Sequence, residues 1–594
     1  MSETTMKKRF VGMCLSLVLV GCGGGGNAPD SVVQPVVIAQ DAPGHTNVIP
    51  PSPSAGQSRA GKIYAVYIRT PGTGDTVAFT VFEPATFDGG KKYPLILHSH
   101  GFTGDRATST APNNLDPANP AGFDFVSVND FVSHGYGVIS IAERAHGESN
   151  GSDRVLDPDA EGKDLLAVLD WAEAKLDWLA YGPSSDGRDP HNLIVGSVGE
   201  SYGGFFQYLI HNIDPKHRLD AMVPKWAPYD LTYALSPYSV PKTMWDVGLF
   251  LVGNITGART GAGFDPFVVQ EFTNGISQNR LSPAFNDFLI YHSPRYFCEG
   301  QPVATNGGPG TQPERAPLRP NDRVNVLIEQ GMRDTVFNLN EAYNNYSCLK
   351  AQGGDVRLLT HQIGHNSLLV VPDPGAALYQ PPGDFLSNKC GTLDIDAATL
   401  AFFDEHLKGI HGAASKIPTQ ICLSIAGSDA VLVDQLTTGH SGTQATVPAT
   451  TLIAGVPDVP VAADLGITAD SQGDVVGGIP RLEVDVQPVT AGVPGEPIIF
   501  AGIGIQHSPP LPVYELLDNM ITPLRGTGAH AVDLGGVAAR LKPGEKVVLL
   551  LYGGHEQYLI TGSTNLNLPT ATVMPVTVSG KVWVPLLGPL PAAP

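Results

Sequence analysis

The tightest constraint on this chain is a short apolar run that turns at once into a helix. Leu193-Ile-Val-Gly-Ser-Val198 reads as a strand, Gly199-Glu200-Ser201-Tyr202-Gly203-Gly204 follows directly, and helix-like sequence comes next. A strand that turns straight into a helix crowds the turn. The serine at its tip is held with strained backbone, and glycines are required because nearby positions have no room for side chains. The same turn lifts the hydroxyl above the strand ends, which makes Ser201 the candidate nucleophile. A bare Gly-x-Ser-x-Gly recurs by chance, so the weight lies in the strand–turn–helix setting.

A serine hydroxyl is a poor nucleophile until a base removes its proton. In folds built on this turn the partners follow in the order acid, then histidine. Asp334 lies in Gly331-Met-Arg-Asp334, just after the strand-like Val324–Glu329, where a loop would carry the acid. His365, preceded by Gly364, is the candidate base, and His361 is the alternative. Asp334 would fix the imidazole tautomer and stabilise the imidazolium. An oxyanion hole needs backbone N–H donors. Tyr202, next to the nucleophile, would supply one, and Phe102 in His98-Ser-His100-Gly101-Phe102-Thr103 the other. The loop Arg144-Ala-His146-Gly147-Glu-Ser149 is expected to buttress the site.

Metal chemistry finds little support in the sequence. His98 and His100 have no third ligand in sight, no Cys/His cluster has zinc spacing, and His555-Glu556 lacks the second histidine of a zinc-peptidase motif. No metal and no cofactor is expected.

Strand-like runs alternate with helix-like ones from Ile63, and this pattern implies a parallel sheet covered on both faces. Ile63–Glu83 reads as a hairpin, Asp164–Leu179 and Ala397–Leu407 as helices. The rhythm breaks between 229 and 321, a stretch rich in aromatics and prolines. Helices are expected there near Val240–Val252 and Phe267–Asn274. An insertion between late sheet strands suggests a cap over the site. After Lys416 short β-like runs punctuated by Gly and Pro predict a β-sandwich. The expected organisation is therefore an α/β core over 62–228 and 322–415, a cap over 229–321, and a C-terminal β domain over 416–594.

The N-terminus carries Lys7, Lys8 and Arg9, then an apolar run from Val11 to Val20 too short to span a bilayer, then Leu19-Val20-Gly21-Cys22. This resembles a bacterial lipoprotein signal over 1–22, in which the Cys22 thiol is acylated. Gly23 after the cysteine points to the outer membrane by the same resemblance, and 23–61 reads as a flexible tether. Anchoring would then run through lipid alone. A formal charge of −21 lacks the basic footprint that nucleic acid requires. Cys298, Cys348, Cys390 and Cys422 remain, an even number that suggests two disulfides in an oxidising compartment. Four cysteines permit three pairings. Cys390 and Cys422 flank the last core helix, and their bridge would pin core to β domain. That leaves Cys298 with Cys348.

Together, Gly199–Gly203, Gly331–Asp334, Gly364-His365, Phe402-Phe-Asp-Glu-His-Leu-Lys-Gly409 and Leu541-Lys-Pro-Gly-Glu-Lys-Val-Val-Leu-Leu-Leu551 resemble the X-prolyl dipeptidyl-peptidase and cocaine-esterase group of α/β-hydrolases. The resemblance implies an α/β-hydrolase core, a helical cap and a jelly-roll-like β-sandwich. Members often place a tyrosine hydroxyl in the oxyanion hole, whereas the matching loop here offers Phe102. The group implies a small ester or a short peptide as substrate. A peptidase must anchor a substrate ammonium, for which the cap holds Asp246, Asp265 and Glu271. An ester needs no such anchor, and ester hydrolysis is the favoured expectation. X-prolyl peptidase activity is the alternative, and a non-catalytic binding lipoprotein a third reading.

Overall fold

The computed structural model describes residues 38–52, 60–86, 90–111, 127–260, 263–300, 322–365, 387–426, 428–456, 460–470, 473–492, 495–507, 513–559 and 573–593. The expected signal, Cys22, the first part of the tether and the end of the cap, 301–321, lie outside the described residues. Among those described, no helix is long and apolar enough to cross a membrane.

Eleven strands form the central sheet: β1 (Gln40–Asp41), β2 (Ile63–Arg69), β3 (Thr76–Phe82), β4 (Leu95–Ser99), β5 (Gly137–Ile141), β6 (Val195–Glu200), β7 (Leu219–Lys225), β8 (Asn325–Gly331), β9 (Val356–His361), β10 (Ile421–Ala426) and β11 (Asp429–Val433). Their order is β1-β2-β3-β5-β4-β6-β7-β8-β9-β10-β11. From β5 through β10 all neighbours are parallel, and both edges are antiparallel. The parallel strands are apolar on both faces because helices cover both. Glu161–Lys175 and Tyr202–Ile213 pack into one core cluster with Trp171, Phe206 and Leu209. Val128–Ser133 and Ile395–Lys408 fill the other with Phe131, Phe402 and Phe403.

Two expected boundaries shift. Gln40 and Asp41, placed in the tether, pair antiparallel with β2. The sheet also continues past Lys416, because Ile421–Ala426 and Asp429–Val433 are still its strands. Apolar β-branched runs look alike in an α/β sheet and in a sandwich, so composition alone misplaced the boundary.

The cap comprises Leu231–Leu235, Thr243–Thr260, Pro266–Gln278, Pro283–His292 and Pro294–Glu299. Three of these begin with proline after Asp265, Ser282 or Ser293. Proline fits a first helical position because its missing N–H is not needed there, and Asp265 and Ser282 cap the free amides that follow. Beyond the sheet, Thr443–Ala454, Met574–Val584, Arg481–Pro488 and Gly528–Asp533 form one antiparallel sheet. Val461–Thr468, Lys546–Tyr552, Ile498–Gln506, Tyr514–Leu516 and Thr522–Arg525 form another, and both bury side chains in a shared core.

Disulfides join Cys298 to Cys348 and Cys390 to Cys422, the pairing expected. The first ties the last described cap helix to Leu339–Gln352 beside the sheet. The second does not pin two domains, as expected, because Cys422 lies on β10 and the bridge stays within the α/β core.

Candidate active site

Ser201 stands at the N-terminus of Tyr202–Ile213 with φ 57° and ψ −115°, a left-handed conformation that a non-glycine residue adopts only under constraint. The constraint is close packing. A Cβ on Gly203 would lie 2.3 Å from the Ser99 carbonyl oxygen of β4, and one on Gly204 2.4 Å from that of Lys225 on β7. Beneath the turn, buried Gln207 donates to the carbonyls of Gly203 and Val223 at 3.0 and 3.2 Å and accepts from the Val223 amide at 3.1 Å. Nothing local in the sequence marks this glutamine's role, because it looks like any helix residue.

His365 Nε2 lies 2.7 Å from Ser201 Oγ, and its Nδ1 lies 2.6 Å from Asp334 Oδ2. The His365 amide donates to the same Oδ2 at 3.1 Å, while Asp334 Oδ1 accepts from the amides of Val336 and Phe337 at 2.9 and 2.8 Å. The fully buried carboxylate therefore has a partner on each oxygen and is oriented toward the imidazole. Gly331 and Gly364 let the two loops touch: a Cβ on Gly331 would meet the Ile363 carbonyl at 1.9 Å, and one on Gly364 the Asp334 Cβ at 2.8 Å.

His361 sits elsewhere. It is buried on β9 and receives the Trp226 indole N–H at 3.1 Å, and burial pushes its imidazole down to about 3. The Trp226 ring in turn packs edge-on against His365, with centroids 5.9 Å apart. His98 contacts Ser140 Oγ at 2.9 Å, and His100 Nε2 accepts from the Glu143 amide at 3.1 Å. Burial lowers both imidazoles, His98 to about 4. These two are committed to protein partners. His555, in the β domain, is likewise buried and lowered to about 4 by burial. Arg144 holds Asp164 through two hydrogen bonds of 2.8 and 2.9 Å, and Ser149 Oγ donates to the Ala142 carbonyl at 2.7 Å, so this loop braces the end of β5. Its His146 ring packs against Phe102 and Tyr202.

Above Ser201 the cap closes a cavity of about 130 Å³. Phe102 and Tyr202 line it beside Ser201 and His365, and Phe250, Phe264 and Phe272 form much of the cap side. Tyr202 turns its hydroxyl away, donating to Asp153 Oδ1 at 3.2 Å and accepting from the Leu156 amide. Among the charged residues expected to anchor a substrate, only Asp246 reaches the cavity. Asp265 Oδ2 faces the Arg154 guanidinium at 3.1 Å and Oδ1 caps the Phe267 amide, while Glu271 accepts from the Ser282 hydroxyl.

The family model described as X-Pro dipeptidyl-peptidase (S15 family) matches residues 73–256, which contain the serine turn and the first part of the cap. The chain is an α/β-hydrolase, and the match over these residues is to this group. It is a serine hydrolase, and the binding-only reading falls away. No curated protein matches it. Among solved structures, a CocE/NonD family hydrolase from Staphylococcus aureus is similar over 90% of this chain and 99% of its own, with TM-score 0.58 and 13% identity. An aminopeptidase from the marine sediment archaeon Thaumarchaeota archaeon is similar over 91% and 99%, with TM-score 0.54 and 12% identity. At these identities the likeness establishes the hydrolase's fold.

Proposed function

We propose that this hydrolase cleaves carboxylic esters with an apolar portion, through an acyl-enzyme on Ser201. The observation that carries the reading is the cavity, whose lining beside Ser201 and His365 is apolar and aromatic apart from Asp246. Such a surface favours binding of hydrocarbon and offers a free peptide terminus little compensation for its lost hydration. In the proposed reaction Ser201 Oγ attacks the ester carbonyl carbon as His365 Nε2 takes its proton. Asp334 holds the imidazole's tautomer and stabilises the imidazolium. The oxyanion forms against the backbone N–H groups of Tyr202 and Phe102. Collapse breaks the C–O bond to the leaving alcohol, which takes the proton from His365. Water then repeats the sequence, releasing the acid and restoring Ser201.

A specific observation favours the peptidase alternative, namely that Asp246 is the acid an X-prolyl substrate's ammonium would need. The two readings separate in one assay. Under the ester reading, p-nitrophenyl esters turn over and Xaa-Pro-p-nitroanilides do not, while a fluorophosphonate labels Ser201. Turnover of the anilides with kcat/KM above that of the esters would reverse the assignment. We also propose that the enzyme works outside the cytoplasm, held at the outer membrane by lipid on Cys22. The signal-like N-terminus supports this, and the two disulfides are compatible with an oxidising compartment.

A further inference from the structure

Asp246 is a misfit in its surroundings. It sits in the first turn of Thr243–Thr260, is 8% exposed, and lines a cavity otherwise walled by Leu249, Phe250, Phe264, Phe272 and their neighbours. Its amide donates to the Lys242 carbonyl at 2.9 Å, but its buried Oδ1 has no hydrogen-bond partner among the described residues. Buried polar atoms are nearly always paired, so one left unpaired in a substrate cavity points to a partner that arrives with the substrate.

We infer that Asp246 pairs with a neutral hydroxyl, ether or carbonyl oxygen on the part of the substrate that lies under the cap. The inference rests on the ester-hydrolase reading and names its substrate class: an apolar ester bearing one further oxygen. The charge balance selects a neutral oxygen over an ammonium. Burial holds the Asp246 carboxyl well above its ordinary range, and in that neutral form its O–H donates to an oxygen. The cation nearest in effect is Lys242, one turn before it, which already favours the carboxylate. The Lys242 Nζ itself is turned to the carbonyls of Thr335 and Val336. A substrate ammonium would have to ionise Asp246 within an apolar wall and share it with this lysine. A plain hydrocarbon would seal Asp246 away from water unpaired. An oxygen in reach pairs it without creating a charge.

The test compares esters of equal length with and without an added ether or hydroxyl oxygen, in an acyl series and an alcohol series, alongside 6-aminohexanoyl esters. The wild type is expected to prefer an oxygenated ester in at least one series by about tenfold or more in kcat/KM. Asp246→Leu should reduce that preference to within about twofold, chiefly by accepting the plain chain better. Asp246→Asn keeps an N–H donor and should retain most of the preference. Binding of the same esters to Ser201→Ala, followed by calorimetry, repeats the comparison without turnover. A preference in binding with no hydrolysis by the wild type would uphold the role of Asp246 and remove the ester-hydrolase reading. The inference is overturned if the wild type shows no preference in either series, if Asp246→Leu keeps it, or if the amino esters are preferred and Asp246→Asn abolishes that preference.

Discussion

Lys242→Met tests whether the cap holds the acid loop in place. Lys242 is 5% exposed, and its Nζ donates to the Thr335 and Val336 carbonyls at 2.9 and 3.0 Å. Those residues follow Asp334, whose Oδ1 accepts from the Val336 amide. Three residues on, Trp245 Nε1 donates to Thr335 Oγ1 at 3.0 Å, and Thr335 Oγ1 donates to the His365 carbonyl at 3.3 Å. Burial lowers the Lys242 ammonium from 10.5 to about 8, partly opposed by Glu341 and Asp334. At 1.36 kcal/mol per pH unit, that difference means the buried charge costs about 3 kcal/mol near neutral pH. Methionine removes this cost but leaves two buried carbonyls short of a donor, at about 1–3 kcal/mol each. The two effects oppose each other, so stability at pH 7 should change by no more than about 3 kcal/mol.

Activity has no such offset. A displaced acid loop misplaces His365, and shifts of about 1 Å cost on the order of 100-fold in rate. We expect kcat/KM to fall about 10- to 100-fold while the fold is retained. The pH dependence gives a second readout. Between pH 8 and 10.5 the unfolded chain holds the lysine proton and the folded chain has released it. Wild-type stability therefore gains with rising pH across that window, relative to the variant. Thermal midpoints of both proteins from pH 7 to 10 give the difference curve. A flat curve would refute the burial argument, and unchanged kcat/KM would refute the positioning argument.

Ser201→Ala should fold normally and lose hydrolysis by about a millionfold, read as turnover and loss of fluorophosphonate labelling. Gly203→Ala should cut activity at least about 100-fold and destabilise by about 1–3 kcal/mol, since its Cβ would meet the Ser99 carbonyl at 2.3 Å. A variant with normal rate would show that the turn has slack. Removing the Cys298–Cys348 disulfide by Cys298→Ser with Cys348→Ser should destabilise by about 2–4 kcal/mol, measured by denaturant unfolding, because the bridge closes a separation of 50 residues. Cys22→Ser should release the protein from membranes, and persistence there after a carbonate wash would remove the lipid anchor from the proposal.

The parts of the site legible in the sequence were those dictated by local crowding. Gly199-Glu200-Ser201-Tyr202-Gly203 announces a turn whose geometry only glycines permit, whereas the close crossing of the acid and base loops at Gly331 and Gly364 emerges only in the fold. The choice of His365 over His361 rested on loop position, and the structure brings His365 to Ser201 while Trp226 holds His361 in the sheet. What stayed hidden depends on long-range packing. Gln207, Trp226 and Lys242 carry no local signature, since each matters only for what the fold brings against it. Among the cap prolines, Asp265-Pro266 opens the helix expected near Phe267–Asn274, whereas the helix starts at Ser282-Pro283 and Ser293-Pro294 are hidden in a stretch dense in aromatics and prolines.

The first turn of Thr243–Thr260 shows why a β domain remote in sequence belongs in the account of the site. On one side, Lys242 and Trp245 bond the residues that follow Asp334. On the other, Thr243 Oγ1 accepts from the Leu559 amide at 2.6 Å and the Met244 amide donates to the Gln557 carbonyl at 3.3 Å. Tyr238, just before the helix, exchanges hydrogen bonds of 2.9 Å with the Asp533 backbone through its hydroxyl. Asn340, at the start of the helix after the acid loop, bonds Leu534 and Gly536 at 3.0 and 2.8 Å. The β domain thus grips both the cap turn that carries Asp246 and the segment that follows Asp334. Tyr238→Phe removes one of these grips far from Ser201. If the grips matter to catalysis, it should lower kcat/KM about 2- to 10-fold with little change in fluorophosphonate labelling at saturation. If they serve stability alone, kcat/KM will hold while the unfolding midpoint drops.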